Sequence, residues 1–383
     1  MLRRLAAINL VLALLAAIPA RSARRPRYGG TLRVEIGAVV NSLDPGVPAA
    51  NPTETAAKDE IDALTYGPRN AEGTFANSVA GGGPFRLAEW EPGKHLTLAA
   101  NDDYRAGRPF VDSVEVQMGR AARDRLLDLE LDKTDLAEIP PEQARRAADR
   151  GVRVSASQPD EVVALVFLTG HPVTEDVRIR EAIARSIDRA AIVNFILQKE
   201  GEVAGGLLPQ WSSGTAFLFS TAVDPAGAKA LSLQINPAAR IVLGYDAGDP
   251  LEQSVAERIA VNARESGVSV VSQSIQGGAP AASSADAKLV RMRMPTPHPR
   301  AALASFLKFL GPLTALEETS LPAVATPEET FAREESVVGS FRVIPLVWFP
   351  RVYGLGARVR DWKAPAPGED WPLADVWLEE EAQ

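Results

Sequence analysis

Between Val162 and Leu197 the chain carries the pattern that most narrows its architecture. Val162, Val163, Leu165, Val166, Phe167 and Leu168 form an apolar run of strand length, and Gly170, His171 and Pro172 end it. Asp176 then stands where a helix N-cap is wanted, and Ile179, Ile183 and Ile187 recur every four residues on one helical face. Asp188 can cap a second short helix that buries Ile192, Val193, Ile196 and Leu197. Arg178, Arg180, Arg185 and Arg189 lie among these positions and are expected to stay in water.

The flanking segments extend that reading. Tyr28 to Gly37 alternates apolar and polar residues as a half-buried strand should, and Asn41-Ser42-Leu43-Asp44-Pro45 ends it in turn chemistry. Phe85 to Asn101 reads as a hairpin turning at Pro92-Gly93, with Val114 to Met118 as a third strand. Arg120 to Leu131 is helical by pattern, Glu142 to Asp149 is a short polar helix, and Val152 to Val154 is a strand before the apolar run. Ala239 to Tyr245, a helix opening at Asp249-Pro250, and Gly267 to Ile275 form a β-α-β unit. Pro327 to Glu335 is helical, Phe341 to Tyr353 is a clear strand, and Trp362, Trp371 and Trp377 can cover a surface of the fold.

Several of these segments carry motifs in a specific order. Asp176, Arg178, Ile179, Arg180, Ala182, Ile183, Ser186, Ile187, Asp188 and Arg189 fit D-x-R-[IV]-R-x-A-I-x-x-[AS]-I-D-R. Upstream stand Gly29-Gly30-Thr31-Leu32, Ser42-Leu43-Asp44-Pro45, and Gly83-Pro84-Phe85 leading to Trp90 and Gly93. Downstream stand Gly205 to Pro209 with Trp211, and Gly248-Asp249-Pro250. Each motif is loose by itself, but their sequence along the chain resembles that of the family 5 extracellular solute-binding proteins, the oligopeptide-, dipeptide- and nickel-binding components of ABC importers. The resemblance implies an α/β, two-lobed periplasmic binding-protein fold, type II-like, with ligand held in a cleft between lobes by hinge closure. It places the first lobe at residues 28–166 plus 343–383 and the second at 167–342. It also implies an ABC permease in the inner membrane as partner, and a monomer.

Two departures bear on that implication. Where the family builds a long region with a small extra domain, this chain has only Pro48 to Ala80, so the first lobe is expected to be reduced. Where the family reads W-x-x-D-Y-P-D-P, this chain has Met292, Arg293, Met294, Pro295 and, at the second acid, His298. A buried ammonium without a counter-ion is strongly disfavoured, so an anionic or uncharged ligand fits Arg293 better than a free peptide amine. The competing view makes Arg291 and Arg293 solvent-facing residues of an edge strand. The cleft residues implied are Asn41, Ser42, Leu43, Asp44, Phe167, Trp211, Arg293, His298 and Trp348.

Residues 1–23 read as a cleavable export signal: Arg3 and Arg4, an apolar run from Leu5 to Ala17, then small residues. The run is short beside the ~20 residues of a membrane span. The sequence has no cysteine, so it offers no lipoprotein anchor, disulfide or thiolate chemistry. Its formal charge of −8 would become −11 once Arg3, Arg4 and Arg21 left with the signal, which disfavours nucleic acid. The three histidines, His95, His171 and His298, are far apart, and no nucleophile-elbow, zinc-helix or P-loop spacing occurs. No catalytic residue, metal site or cofactor is therefore assigned. The expected protein is periplasmic and captures a small or peptide-like solute. The alternative is a degenerate binding protein serving as an envelope interaction or chaperone-like partner, with an exported hydrolase a distant third.

Overall fold

The computed structural model describes residues 25–44, 47, 49, 52–66, 82–214, 218, 220–235, 240–275, 285–315 and 326–379. The export signal at 1–23 and Pro45 lie outside the described residues. The first half begins with β1 (Thr31–Glu35) and α1 (Pro52–Tyr66), then β2 (Phe85–Glu91), β3 (His95–Ala100) and β4 (Ser113–Gln117). It continues with α2 (Ala122–Glu130), β5 (Leu136–Ile139) and α3 (Ala144–Asp149) before the long strand β6 (Arg153–Phe167). The second half holds α4 (Val177–Ser186), β7 (Glu202–Val203), α5 (Pro225–Ser232), β8 (Arg240–Asp246), α6 (Pro250–Glu265) and β9 (Ser269–Ile275). Next come β10 (Ala287–Arg293), α7 (Pro299–Thr314), α8 (Pro327–Gly339) and the return strand β11 (Val343–Leu355), with β12 (Val359–Arg360) and β13 (Trp377–Leu378) in the tail.

One sheet runs through both halves in the order β2-β3-β4-β1-β5-β11-β6-β10-β8-β9, with β7 attached to β11. β6 and β11 are its spine, antiparallel from Val343 opposite Val166 to Leu355 opposite Arg153. The segments at Val152–Val154 and from Val162 onward, read separately in the sequence, are thus joined in one continuous crossing strand, Arg153–Phe167. The polar residues between them stay extended because β11 pairs with them, as Tyr353 does with Ser155. All of β11 is buried, consistent with an inner strand covered on both faces.

Four packed clusters cover the faces of this sheet. In the second half, Val163, Leu165, Phe167 and Leu289 meet Ile179 and Ile183 of α4 and Val255 and Ile259 of α6. On the opposite face, Val162, Ala164, Val290 and Met292 meet Leu303 and Phe306 of α7 and Val337 of α8. In the first half, Leu32, Val34, Leu96 and Val114 pack with Ile61 and Leu64 of α1 and with Trp362 and Trp371 of the tail. Leu126, Leu129, Ile139 and Ala147 pack with Val352 on the reverse side. Each large apolar side chain so buried contributes about 1.5–3 kcal/mol. The expected divisions at 166/167 and 342/343 fall inside this region, where both crossing strands still belong to the second-half clusters.

Two expectations need correction. Arg180 and Arg189 are buried, not solvated. Their guanidinium groups cap carbonyls that would otherwise be orphaned: Arg180 Nη1 donates to Thr174 O (2.7 Å), its Nη2 to Ser340 O (3.0 Å), and Arg189 Nε to Pro345 O (3.1 Å). Five donors on one planar group let arginine serve several carbonyls at once. Arg291 and Arg293 are not left to solvent but pair with Glu161; β10 lies between β6 and β8, meeting β8 only at Ala287 and Lys288, short of both arginines. Between β1 and β2 the described residues hold the single helix α1, and among them there is no small extra β-domain.

Candidate functional site

In sheets with parallel strands, ligands sit beyond the strands' carboxyl ends, where the connecting loops open. β1 is parallel to β4 and β5, and β10 is parallel to β8. The carboxyl ends of these strands from both halves meet across β6 and β11, and charged residues gather there.

Glu161 of β6 is the centre of the cluster. Its Oε2 accepts from Arg291 Nε at 2.7 Å, and its Oε1 accepts from Arg293 Nε at 3.0 Å. Arg293 also faces Glu138 of β5 at 3.7 Å and Glu60 of α1 at 3.9 Å, so one side chain links the two halves. Arg291 approaches Asp249, the N-cap of α6, at 3.5 Å and lies over the Phe349 ring at 4.9 Å. Beside them Arg351 of β11 donates to Asp160 at 2.9 Å and to Glu60 at 3.2 Å. Glu60 accepts the Trp371 backbone N–H at 2.8 Å, and Trp371 Nε1 lies 3.3 Å from the Tyr353 hydroxyl. The C-terminal tail is thereby fastened to the same knot.

Burial and pairing set the charges in opposite directions. Burial alone would raise Glu161, but Arg291 and Arg293 outweigh it and hold the carboxyl down to about 2. Burial pushes Glu60 up to about 7 against the pull of Arg351 and Arg293. Burial also raises Asp160, with Arg351 opposing. Burial works against the charge on Arg291 and Arg293, yet Glu161 overrides it and raises both. Chemically this is a mutually neutralised ion network that holds two halves in register. Nothing in it pairs a nucleophile with a base.

The expected cleft residues divide into three groups. Arg293, Trp211 and His298 come from segments near the turn after β10, but Arg293 belongs to the Glu161 network whereas Trp211 packs against the Val162, Met292 and Phe306 cluster on the opposite face of the sheet. Trp211 donates Nε1–H to Pro159 O (2.9 Å), its neighbour Ser212 donates to Pro297 O (3.0 Å), and His298 is exposed at the start of α7. Asn41, Ser42, Leu43 and Asp44 form a separate group fastened to α1. There Asn41 N–H donates to Glu54 (2.9 Å), Asp44 N–H donates to Ser42 Oγ (3.1 Å), and Lys58 Nζ reaches the Asp44 carbonyl. Leu43, Ile61, Thr65, Tyr66, Phe85 and Leu87 line an open groove of about 450 Å³ on the first half.

Phe167 and Trp348 form the third group and do not face a cleft. Phe167 is fully buried against the α4 and α6 cluster, while Trp348 is 2% exposed and packs 6.3 Å from Phe306. Their places on inner strands explain this: both faces of β6 and β11 are covered here. Glu60, Asp160, Glu161 and Arg351 escaped the sequence reading. For Asp160, Glu161 and Arg351 the signal was a charged residue set within or beside an apolar strand, which has to find a partner; Glu60, on helix α1, carried no such mark.

This geometry can be set beside known proteins. A model of the bacterial extracellular solute-binding proteins, family 5, matches residues 31–308, and the chain belongs to that family. The oligopeptide-binding protein AppA of Bacillus subtilis is 28% identical over 125 residues, 32% of this chain and 23% of the relative. The probable D,D-dipeptide-binding periplasmic protein DdpA of Escherichia coli is 29% identical over 143 residues, 37% of this chain and 28% of the relative. The matches thus span about a quarter of these relatives' length. Among solved structures, AppA from Bacillus subtilis in complex with a nonapeptide superposes with a TM-score of 0.74 at 14% identity, covering 93% of this chain and 100% of that one. NikA from Staphylococcus aureus in complex with Ni(L-His)2 gives 0.65 at 16% identity, covering 78% and 69%. These likenesses show a mixed α/β fold of the periplasmic peptide-binding type.

Proposed function

We propose that this chain is the solute-binding component of a peptide/nickel-type ABC importer. In this reading it works as a monomer in the periplasm, holds one small or peptide-like solute between two lobes, and presents it to a membrane permease. The observation that carries the reading is the junction itself. Carboxyl ends of parallel strands from both halves face each other across two crossing strands, which is where a two-lobed α/β receptor accepts its ligand. We take the first lobe as residues 28–166 plus 343–383 and the second as 167–342, with the crossing strands shared at the boundary. Arg293, Trp211 and His298 are the second-lobe residues proposed to border the solute, and Asn41 to Asp44 supply the facing rim.

A thermal-shift screen against di- and oligopeptides, nickel chelates, sugars and small anions tests the proposal. Ligand at 100 times its dissociation constant stabilises by about 2.7 kcal/mol, so a saturable rise in Tm is expected for one class. A flat screen on well-folded protein would count against solute capture and favour a binding protein that serves only as an envelope partner.

A further inference from the structure

Arg125 stands apart from the ion network beside it. It lies in the first turns of α2 and is 8% exposed, and its Nε is buried without a hydrogen-bond partner. Among the described residues no carboxylate forms a salt bridge with it. Glu35 and Glu138 act on it only through the field, and Arg291, from across the junction, repels it. Of the nearby acids, Glu138 faces Arg293 at 3.7 Å, and Glu35 stands 3.6 Å from Arg120 with its Oε2 buried and without a hydrogen-bond partner. The backbone makes room for this cation. A Cβ at Gly37, just past the end of β1, would lie 2.9 Å from Arg125 Nη1 and 3.2 Å from its Cζ.

A buried guanidinium is costly unless anions or carbonyls satisfy it, and Arg125 Nε, unlike Arg180 Nε and Arg189 Nε, has no such partner. Here the unpaired cation sits at the carboxyl ends of β1 and β5 and within the field of Arg291 of the other half. We infer that Arg125 receives a carboxylate of the bound solute at the junction between the halves. This inference rests on the solute-binding reading and adds the chemical class of the group recognised. An anion placed there would also offset the repulsion between Arg125 and Arg291, so its binding would favour approach of the two halves.

The test uses the full chain with dipeptides, succinate and citrate, and with dipeptide C-terminal amides as matched probes lacking the carboxylate. The wild type should bind acids at least tenfold more tightly than amides. Arg125→Met should erase that preference and raise the ligand-free Tm, since it removes a buried unpaired charge while keeping apolar bulk. Arg125→Lys should keep most of the preference, and Gly37→Ala should weaken it by displacing the guanidinium. Equal binding of acids and amides, or an unchanged preference in Arg125→Met, would overturn the carboxylate site while leaving solute capture standing. A ligand-free Tm that falls in Arg125→Met would also overturn it, by showing Arg125 to be structural. A wild type that binds no probe would overturn the site together with the reading beneath it.

Discussion

Arg351 shows how much a single charge can matter when it is sealed in. Its side chain is 2% exposed and Asp160, its partner, is 0% exposed. Deleting one member of such a pair leaves the other charge buried and costs about 3–5 kcal/mol. Asp160→Ala should therefore lower the urea midpoint severely. Arg108→Ala, which breaks the surface pairs with Asp102 and Asp112, should cost about 0–1 kcal/mol. Equal effects from the two substitutions would refute the burial argument. Acids elsewhere predict a pH dependence. Burial pushes Glu252 and Glu334 up to about 7 from an ordinary 4.5. Each binds its proton more tightly folded than unfolded, so its contribution is complete below about 4.5 and is lost as pH rises through about 7. Glu161, held down to about 2, contributes above 4.5 and loses that contribution as pH falls towards 2. The urea midpoint should thus be higher at pH 5 than at pH 8, and Glu252→Gln with Glu334→Gln should shrink the difference, with Glu35 and Glu60, also pushed up to about 7 by burial, carrying the remainder.

Elements were legible in the sequence wherever a cap or a period marked them. Asp176 and Asp188 were read as N-caps and Asp249-Pro250 as a helix opening, and each aspartate side chain accepts from a backbone N–H of its helix. Asp249→Ala should cost about 1 kcal/mol by losing the cap of α6, measurable by thermal unfolding. The β2–β3 hairpin turns at Gly93, where φ is +72°, as its Pro-Gly pair indicated. Long-range demands were not legible. Nothing local says that Arg180 and Arg189 must reach carbonyls 160 and 156 residues away, or that β10 is interior. Gly83 is similar: a Cβ there would lie 2.4 Å from Leu64 O and 2.6 Å from Thr65 C. Because those atoms are backbone and cannot rotate aside, Gly83→Ala should destabilise by about 1–3 kcal/mol. A neutral result would mean that α1 and β2 can separate.

At the scale of the molecule, the order of motifs along the chain pointed to the family, and the sheet shows how two halves become one object. β6 and β11 cross together, and ion pairs from Glu60, Glu138 and Arg293 tie the first half to the second. The candidate site was only partly visible in advance. Phe167 and Trp348 looked available only because strand burial on both faces depends on helices far away in sequence. The central claim is that solute is held between the halves. The absence of cysteine from the sequence makes a labelled pair straightforward, with Glu89→Cys on β2 and Ser269→Cys on β9, both exposed positions on opposite outer strands. The distance between spin labels at these sites should shift to a single new value when a solute that raises Tm is added, and should return when it is dialysed away. A solute that binds with the distance distribution unchanged would contradict capture by closure of the two halves.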